Sequence, residues 1–217
     1  MLLVDKPKGW TSFDVVNRIR HLSHVRRVGH AGTLDPMATG LLIVCTGKKT
    51  KEIDQFMGLD KEYEAEMALG GRTESYDAET PVVEERSTVG ITEARVREVM
   101  GRFLGKQQQI PPMWSAVKVK GRPLYRYARR GVEVERKARD VEILSLRAER
   151  IAIPLVAFSV ACTKGTYIRT LAHDIGEELG CGAYLTALRR TRIGPYRVEE
   201  AATIEELAAC ARKEKTP

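Results

Sequence analysis

The chain of 217 residues is 43% hydrophobic, which is enough for a substantial core in one large domain or two small ones. Lys and Arg number 36 against 29 Asp and Glu, and the net charge of +7 permits a polyanionic partner without requiring one. Ten basic residues and only two acidic residues lie within 105–139, so this segment carries +8 and the rest of the chain −1. This distribution predicts a local phosphate-binding surface.

Two classes of protein are disfavoured by the sequence. No charged segment precedes a long apolar run near Met1, so no secretory signal is predicted, and no apolar stretch approaches the roughly 20 residues that span a bilayer. The four cysteines form no CxxC pair, and each lies among apolar or small residues: Cys45, Cys162, Cys181 and Cys210. We therefore expect buried, reduced thiols and a cytoplasmic location without membrane contact.

Hydrophobic periodicity and turn residues predict the elements of the first half of the chain. Thr11 or Ser12 caps the first helix, which carries Phe13, Val16 and Ile19 on one side. In order, the predicted elements are a strand at 2–5, this first helix, a strand at 41–45, a helix at 49–57, a strand at 63–69 and a helix at 93–103.

The second half continues with strands and helices in no regular alternation. In order, the patterns predict a strand at 116–119, a helix at 122–130, an extended region at 132–149, a strand at 155–163, a helix at 166–179, a short helix at 183–188, a strand to 193 and a helix at 204–211. The absence of a regular βαβ rhythm favours an α+β fold with a mixed, largely antiparallel sheet flanked by helices.

The densest motif is GHAGTLDPMATG at 29–40. Its three glycines indicate backbone in unusual conformations or closely approached, and Pro36 biases Asp35 away from helix. The apolar strand that follows would anchor a loop that presents the Asp35 carboxylate. An Asx-type turn, in which Asp35 bonds only to its own backbone, is the alternative from spacing alone.

Other residues of this motif also permit two interpretations. His30 could stack on a base or exchange protons, or it could be structural. The tetrapeptide GHAG at 29–32 matches the GxxG loop that clamps nucleic-acid backbone in KH domains, although no helix pair is predicted to bracket it.

A second motif, CTKGTYIRT at 162–170, joins a buried strand to a helix. Helix N-termini favour anions, and Arg169 could orient a buried carboxylate and keep it ionised. The alternative is a capping turn with an arginine on the surface.

Several common sites are absent from the sequence. The segment GKKT at 47–50 lacks the first half of a P-loop, and no GxSxG elbow is present. His21 and His24 are spaced as a pair on one helix, but no third ligand is nearby, so no metal site is predicted.

Six blocks resemble, in order, the TruB family of tRNA pseudouridine synthases. They are VDKPKGWTS at 4–12, GHAGTLDPMATG at 29–40, KEY at 61–63, SYDA at 75–78, KGTYIR at 164–169 and LRR at 188–190. The resemblance runs from about residue 2 to 195, and the 29–40 block is its most specific part. Thr33 stands where some members have alanine.

The resemblance implies a catalytic set and a substrate-binding set. Asp35 matches the essential aspartate, Tyr63 the tyrosine implicated in removal of the C5 proton, and Arg169 the arginine paired with the aspartate. The residues expected to bind substrate or support its pocket are His30, Tyr167, Leu188, Lys6, Pro7, Asp77, Arg126 and Arg129. Among these, Asp77 matches an acidic residue of the RNA-facing loop.

The implied activity is the isomerisation of uridine 55 in the T-arm of tRNA to pseudouridine. It needs no redox step, so we expect no cofactor, no required protein partner and a monomer. The expected organisation is one pseudouridine synthase catalytic domain at 1–217, with 105–139 as a thumb-like RNA-clamping insertion and no C-terminal PUA domain. A guide-dependent RNA pseudouridine synthase and a tRNA-binding or tRNA-folding module are the alternatives.

Overall fold

A computed structural model describes the backbone of residues 1–213 and the side chains of residues 1–212. The helices are α1 (Ser12–Ser23), α2 (Ile53–Met57), α3 (Glu93–Arg102), α4 (Leu124–Ala128), α5 (Ile168–Leu179) and α6 (Ile204–Lys213). The strands are β1 (Leu2–Lys6), β2 (Val28–Ala31), β3 (Thr39–Thr46), β4 (Lys61–Leu69), β5 (Gly71–Thr73), β6 (Val82–Glu85), β7 (Gly105–Gln109), β8 (Lys118–Val119), β9 (Arg122–Pro123), β10 (Arg139–Ala152), β11 (Leu155–Cys162), β12 (Ala183–Ile193) and β13 (Tyr196–Arg197).

Strand pairing confirms the predicted α+β class and the largely antiparallel sheet. The pairs β1–β3, β2–β3, β10–β11 and β7–β10 are antiparallel, whereas β12 pairs with β3 in parallel. Within residues 1–213 no helix is both long and apolar enough to span a membrane.

The chain forms two compact units, of which the first contains Met1–Glu64 and the chain from Leu188. Strand β3 is the centre of this unit because it is buried on both faces. Leu41, Ile43 and Cys45 join one hydrophobic cluster with Phe56, while the alternate residues of β3 join a second cluster with α1 and α6. This strand emerges directly from the 29–40 motif, so the motif is anchored in the best-packed part of the unit.

The second unit, Ala65–Ala187, is built on the β10–β11 hairpin. Every second residue of β11 is buried, which gives this strand one core face. Helix α3 contacts β10 and α5, and it contributes Val96, Val99 and Met100 to the interior. Helix α5 is buried along most of its length and carries Arg169 in its first turn.

Helix α1 begins where the sequence predicts, but its buried face differs from the predicted one. Thr11 is the N-cap and forms a reciprocal capping box with Asp14. The buried positions are Ser12, Val15, Val16 and Ile19, whereas the predicted core residue Phe13 is 60% exposed. At 100° per residue, position 13 lies off the stripe that positions 12, 15, 16 and 19 define.

The predicted helix at 183–188 is wrong. Residues Ala183–Ile193 form the single strand β12, in which Ala183, Leu185, Leu188 and Arg190 are buried. The Ala- and Leu-rich composition favours helix locally, but pairing with β3 at Arg189 and Arg190 outweighs that preference.

Two further predictions are corrected in part. Helix α4 covers only Leu124–Ala128 of the predicted 122–130, because Pro123 occupies the N-cap with an extended backbone. Cys45, Cys162 and Cys181 are buried, but Cys210, on α6, is exposed.

Candidate active site

Asp35 begins a tight turn immediately before β3. Its carbonyl accepts a hydrogen bond from the Ala38 amide at 3.1 Å, and Pro36 occupies the second position, which its fixed φ favours. The side chain is half-buried, whereas its neighbour Leu34 is buried. The turn therefore places the carboxylate at a fixed point on the edge of the first unit's core.

Lys6 and Ser12 fasten this turn to the start of the chain. The buried Lys6 ammonium donates to the carbonyls of Trp10 at 2.6 Å, Pro7 at 3.1 Å and Pro36 at 3.3 Å. The Ser12 hydroxyl accepts from the Leu34 amide at 2.8 Å and donates to its carbonyl at 3.1 Å. A buried charge needs such partners, so Lys6 supports the backbone around Asp35 from within.

Arg190 holds the other side of the motif. Its guanidinium, 1% exposed, donates to the carbonyls of Leu41 at 2.8 Å and Gly32 at 3.1 Å. Gly40 has a φ of 100°, and a Cβ there would lie 2.3 Å from the Arg190 carbonyl oxygen. Only glycine fits this crossing of β3 and β12.

His30 lies on β2, where its backbone pairs with Val44 of β3. Burial lowers the pKa of this imidazole, and the positive charge of Arg190 lowers it further, against a backbone hydrogen bond with Gly32 that raises it. His30 is therefore neutral near pH 7. Its Nδ1 atom is buried and has no hydrogen-bond partner among the described residues. Because residues 28–31 form a strand, the KH-type loop interpretation is wrong.

The remaining predicted residues of the first unit are Pro7, Tyr63 and Leu188. Tyr63 on β4 and Leu188 on β12 are each 8% exposed, and Pro7 is half-buried directly after β1. The alternation of β4 buries Lys61, Tyr63 and Ala65 on one side. Tyr63 is thus fixed by the pleat of the strand rather than by a loop.

In the second unit, Arg169 is held by a network of three residues. Its Nε lies 3.3 Å from an Asp77 carboxylate oxygen, with side-chain exposures of 3% and 1%. The two terminal nitrogens donate to the carbonyls of Ser75 and Trp114, each at 2.7 Å. A guanidinium bonded on all its nitrogens has one orientation, so Arg169 is a fixed buried cation.

The loop that carries Asp77 is itself tied together. The Asp77 carboxylate accepts from the Ser75 hydroxyl at 2.5 Å and from the Glu79 amide at 3.0 Å, and the Thr73 hydroxyl donates to its carbonyl at 2.7 Å. The Asp77 side chain is therefore internal to the protein, where it holds Arg169 in place.

Tyr167 is the N-cap of α5, and Gln109 fixes its backbone. The Gln109 side chain accepts from the Tyr167 amide at 2.7 Å and donates to its carbonyl at 3.0 Å. Gln109 is only 6% exposed. Spacing along the chain does not indicate Gln109 or Trp114, because both act through contacts between segments distant in the chain.

The basic insertion presents a small pocket on its surface. Arg122, Arg126, Tyr127 and Arg130 line a volume of about 230 Å³. The predicted Arg126 belongs to this group, whereas the guanidinium of Arg129 lies 5.5 Å from the centre of the Tyr125 ring. All four arginines are exposed, and they are therefore available to phosphates.

No group of three or more His, Cys, Asp or Glu side chains within the described part of the chain is arranged to hold a metal ion. Each unit presents oriented side chains. The first offers a carboxylate and a buried tyrosine, and the second offers a fixed guanidinium and a tyrosine at a helix start.

Comparison with known proteins places the chain in a family. Residues 20–168 match the N-terminal domain of the TruB family pseudouridylate synthases, and residues 169–216 match the C-terminal domain of tRNA pseudouridylate synthase B. A tRNA pseudouridine synthase B of Chloroherpeton thalassium is 51% identical over 95% of this chain and 88% of its own length. One of Opitutus terrae is 49% identical over 96% and 87%.

A solved structure is also similar. The matching chain in a Cbf5-Nop10-Gar1 complex is 33% identical, with a TM-score of 0.75 over 96% of this chain. This chain spans about half (53%) of its length. The fold is thus that of a pseudouridine synthase, as the resemblance implies. The chain belongs to the TruB family of pseudouridylate synthases.

Proposed function

We propose that this protein isomerises uridine 55 in the T-arm of tRNA to pseudouridine, with Asp35 as the catalytic carboxylate. The observation that carries the proposal is the fixed Asp35 turn within a chain about 50% identical to proteins named tRNA pseudouridine synthase B. Lys6, Ser12 and Arg190 bond to the backbone on both sides of that turn, which is the support that a catalytic group needs.

The reaction needs few groups. The bond from N1 to C1′ breaks, the uracil turns, and a bond from C5 to C1′ forms, while C5 loses a proton and N1 gains one. A carboxylate supplies a nucleophile or a base at the reacting sugar, and no oxidant or second substrate enters the balance. Asp35 is the residue we assign to this step.

Three further residues receive roles on the same basis. We assign Tyr63 to the base, where it stacks and takes part in removal of the C5 proton, and Tyr167 to the face of the flipped uracil. Arg169 is assigned to keep a carboxylate ionised, a task that suits a buried guanidinium held by Asp77. Uridine must leave the stack to react, at about a few kcal/mol, and aromatic and apolar contacts offset this cost.

We assign the other predicted substrate-binding residues either to support of the uridine pocket or to contact with the RNA. Lys6 and Pro7 belong to the segment beneath the Asp35 turn. We assign Leu188 to the wall of the uridine pocket and neutral His30 to the space that the flipped nucleotides leave. The exposed Arg126 and Arg129 are assigned to the RNA backbone.

Replacement of Asp35 tests the proposal. Asp35→Asn preserves size but removes the charge and replaces one acceptor oxygen with an NH2 donor, so we expect kcat on a T-arm stem-loop to fall by at least about 10³-fold while RNA affinity stays within about twofold. Mass-spectrometric mapping of pseudouridine and fluorescence anisotropy measure the two quantities.

Asp54→Asn, which neutralises an exposed carboxylate on α2, is the matched control and should turn over like the wild type. Normal pseudouridine formation by the Asp35 variant would refute the proposal. If the wild type formed no pseudouridine and both proteins refolded tRNA equally well, the RNA-folding alternative would be favoured.

A further inference from the structure

Two aromatic rings stack directly beside the Arg169 network. Tyr76 and His173 have ring centroids 3.8 Å apart and an interplanar angle of 6°. His173 follows Arg169 by one helical turn on α5, so the two side chains lie on the same face of the helix. Tyr76 immediately precedes Asp77. Consecutive residues of the loop therefore contact consecutive turns of one helix.

The backbone of Tyr76 makes this double contact possible. In an extended chain, consecutive side chains point to opposite sides, so Tyr76 and Asp77 could not both contact α5. Tyr76 has a φ of 63°, which is uncommon for a residue other than glycine. Its carbonyl accepts from the Leu185 amide at 3.0 Å, and its amide donates to the Thr73 carbonyl at 3.3 Å. These bonds hold the turn in the left-handed conformation.

His173 is suited to act as a flat partner in this stack. It is 8% exposed, and burial lowers the pKa of its imidazole, against the nearby carboxylate of Glu177, so the ring is neutral near pH 7. Its Nδ1 atom is buried without a hydrogen-bond partner among the described residues. The contact with Tyr76 is thus one of ring faces and not of hydrogen bonds.

We propose that Tyr76 is a positioning residue, whose ring on His173 locks the Asp77 carboxylate against Arg169. The inference rests on the proposed function, in which Arg169 belongs to the catalytic machinery. Ser75 also links Tyr76 to Arg169, because it directly precedes Tyr76 and its carbonyl accepts a hydrogen bond from Arg169. Loss of the stack would remove one of the contacts that hold the Ser75–Asp77 turn, and this turn supplies two of the groups that orient the guanidinium.

Single-turnover and steady-state kinetics on a T-arm stem-loop test this inference. Tyr76→Ala should lower kcat by about 10- to 100-fold, because small displacements of an orienting group are costly, while KM stays within about twofold. Tyr76→Phe keeps the ring face and should retain at least about half of the wild-type kcat. Tyr76→Leu keeps bulk without a ring and should resemble the alanine variant, which covers the case in which alanine fails to fold.

Tyr196→Ala is the matched control. It removes the aromatic partner of Phe56 in the first unit, so it should reduce stability without changing kcat. Wild-type kcat in both the alanine and leucine variants of Tyr76 would overturn the inference, as would an equal loss in the phenylalanine variant. If the wild type formed no pseudouridine, the proposed function itself would fail, which is a distinguishable result.

Discussion

The surroundings of Asp174 in α5 disfavour the ionised form of its carboxyl group. Burial and, to a smaller extent, the negative charge of Glu177 together raise the pKa of this carboxyl from an ordinary value of 3.8 to about 6. A group whose pKa is raised by folding favours the folded state below its unfolded pKa. That contribution is lost as the pH rises through the folded value. Ionised Asp174 therefore costs stability above about pH 6.

Asp174→Asn should remove this cost. We expect the variant to exceed the wild type in free energy of unfolding by about 1–2 kcal/mol at pH 8, after allowance for partial solvent screening, and by little below pH 4. Urea denaturation at a series of pH values measures the difference. A gain that is the same at every pH would indicate a packing effect instead, and Asp54→Asn, at an exposed site, should show no such pH-dependent gain.

At the scale of elements, α4 and its flanking residues form the basic surface that we assign to RNA. Arg126 lines the pocket with Arg122 and Arg130, whereas Arg129 stacks near Tyr125. Three guanidinium groups around one pocket favour a phosphate, because each can offer two parallel donors. The pocket thus distinguishes Arg126 from Arg129, which sequence spacing treats alike.

We expect Arg126→Gln to weaken RNA binding and to reduce the slope of log affinity against log salt by about one. Arg129→Gln should have the smaller effect, since its guanidinium is partly engaged by the Tyr125 ring. Anisotropy titrations of a T-arm stem-loop at several salt concentrations compare the two. An unchanged slope for the Arg126 variant would argue against the pocket as a phosphate site.

The elements that the sequence predicts well are those with local determinants. The Thr11–Asp14 capping box begins α1, and the alternating burial of β4 and β11 follows directly from their residues. The first half of β12 is predicted as helix because its Ala- and Leu-rich start favours helix, and only pairing with other strands makes it extended. The prediction places Phe13 on the buried face of α1 because it treats single positions, whereas several positions together define a helix face. Position 13 lies beyond the edge of the stripe that positions 12, 15, 16 and 19 define.

In the candidate site, too, residues with local sequence signals are predicted, whereas residues that act through distant contacts are not. The Asp35 motif is visible in the sequence because its glycines, proline and following strand are contiguous. The roles of Asp77, Gln109 and Trp114 depend on contacts with residues far along the chain, which spacing does not reveal.

At the scale of the whole molecule, each compact unit contributes residues to which the family resemblance assigns roles. Asp35 and Tyr63 belong to the first unit, and Tyr167 and Arg169 belong to the second. Each is fixed by its own unit, through a turn, a strand, a helix N-cap and a hydrogen-bond network. The assigned groups are thus preorganised by secondary structure, which favours precise catalysis.

Two kinds of relative suggest different modes of substrate recognition. The solved chain at 33% identity is part of a complex with Nop10 and Gar1, and it is about twice as long as this chain. The relatives at 49–51% identity are named tRNA pseudouridine synthase B and are of nearly the same length. The proposed function, together with the arginine pocket, predicts that the chain itself recognises tRNA.

The purified chain should therefore convert the target uridine of an unmodified T-arm stem-loop without guide RNA or added protein. The stem-loop with cytidine at that position is the control, because it supplies the same phosphates and shape but lacks an isomerisable base. Activity that appeared only after a guide RNA and partner proteins were added would favour the guide-dependent alternative. Activity on the stem-loop alone would require that the chain's own side chains flip and select the base, which assigns specificity to the uridine pocket rather than to base pairing.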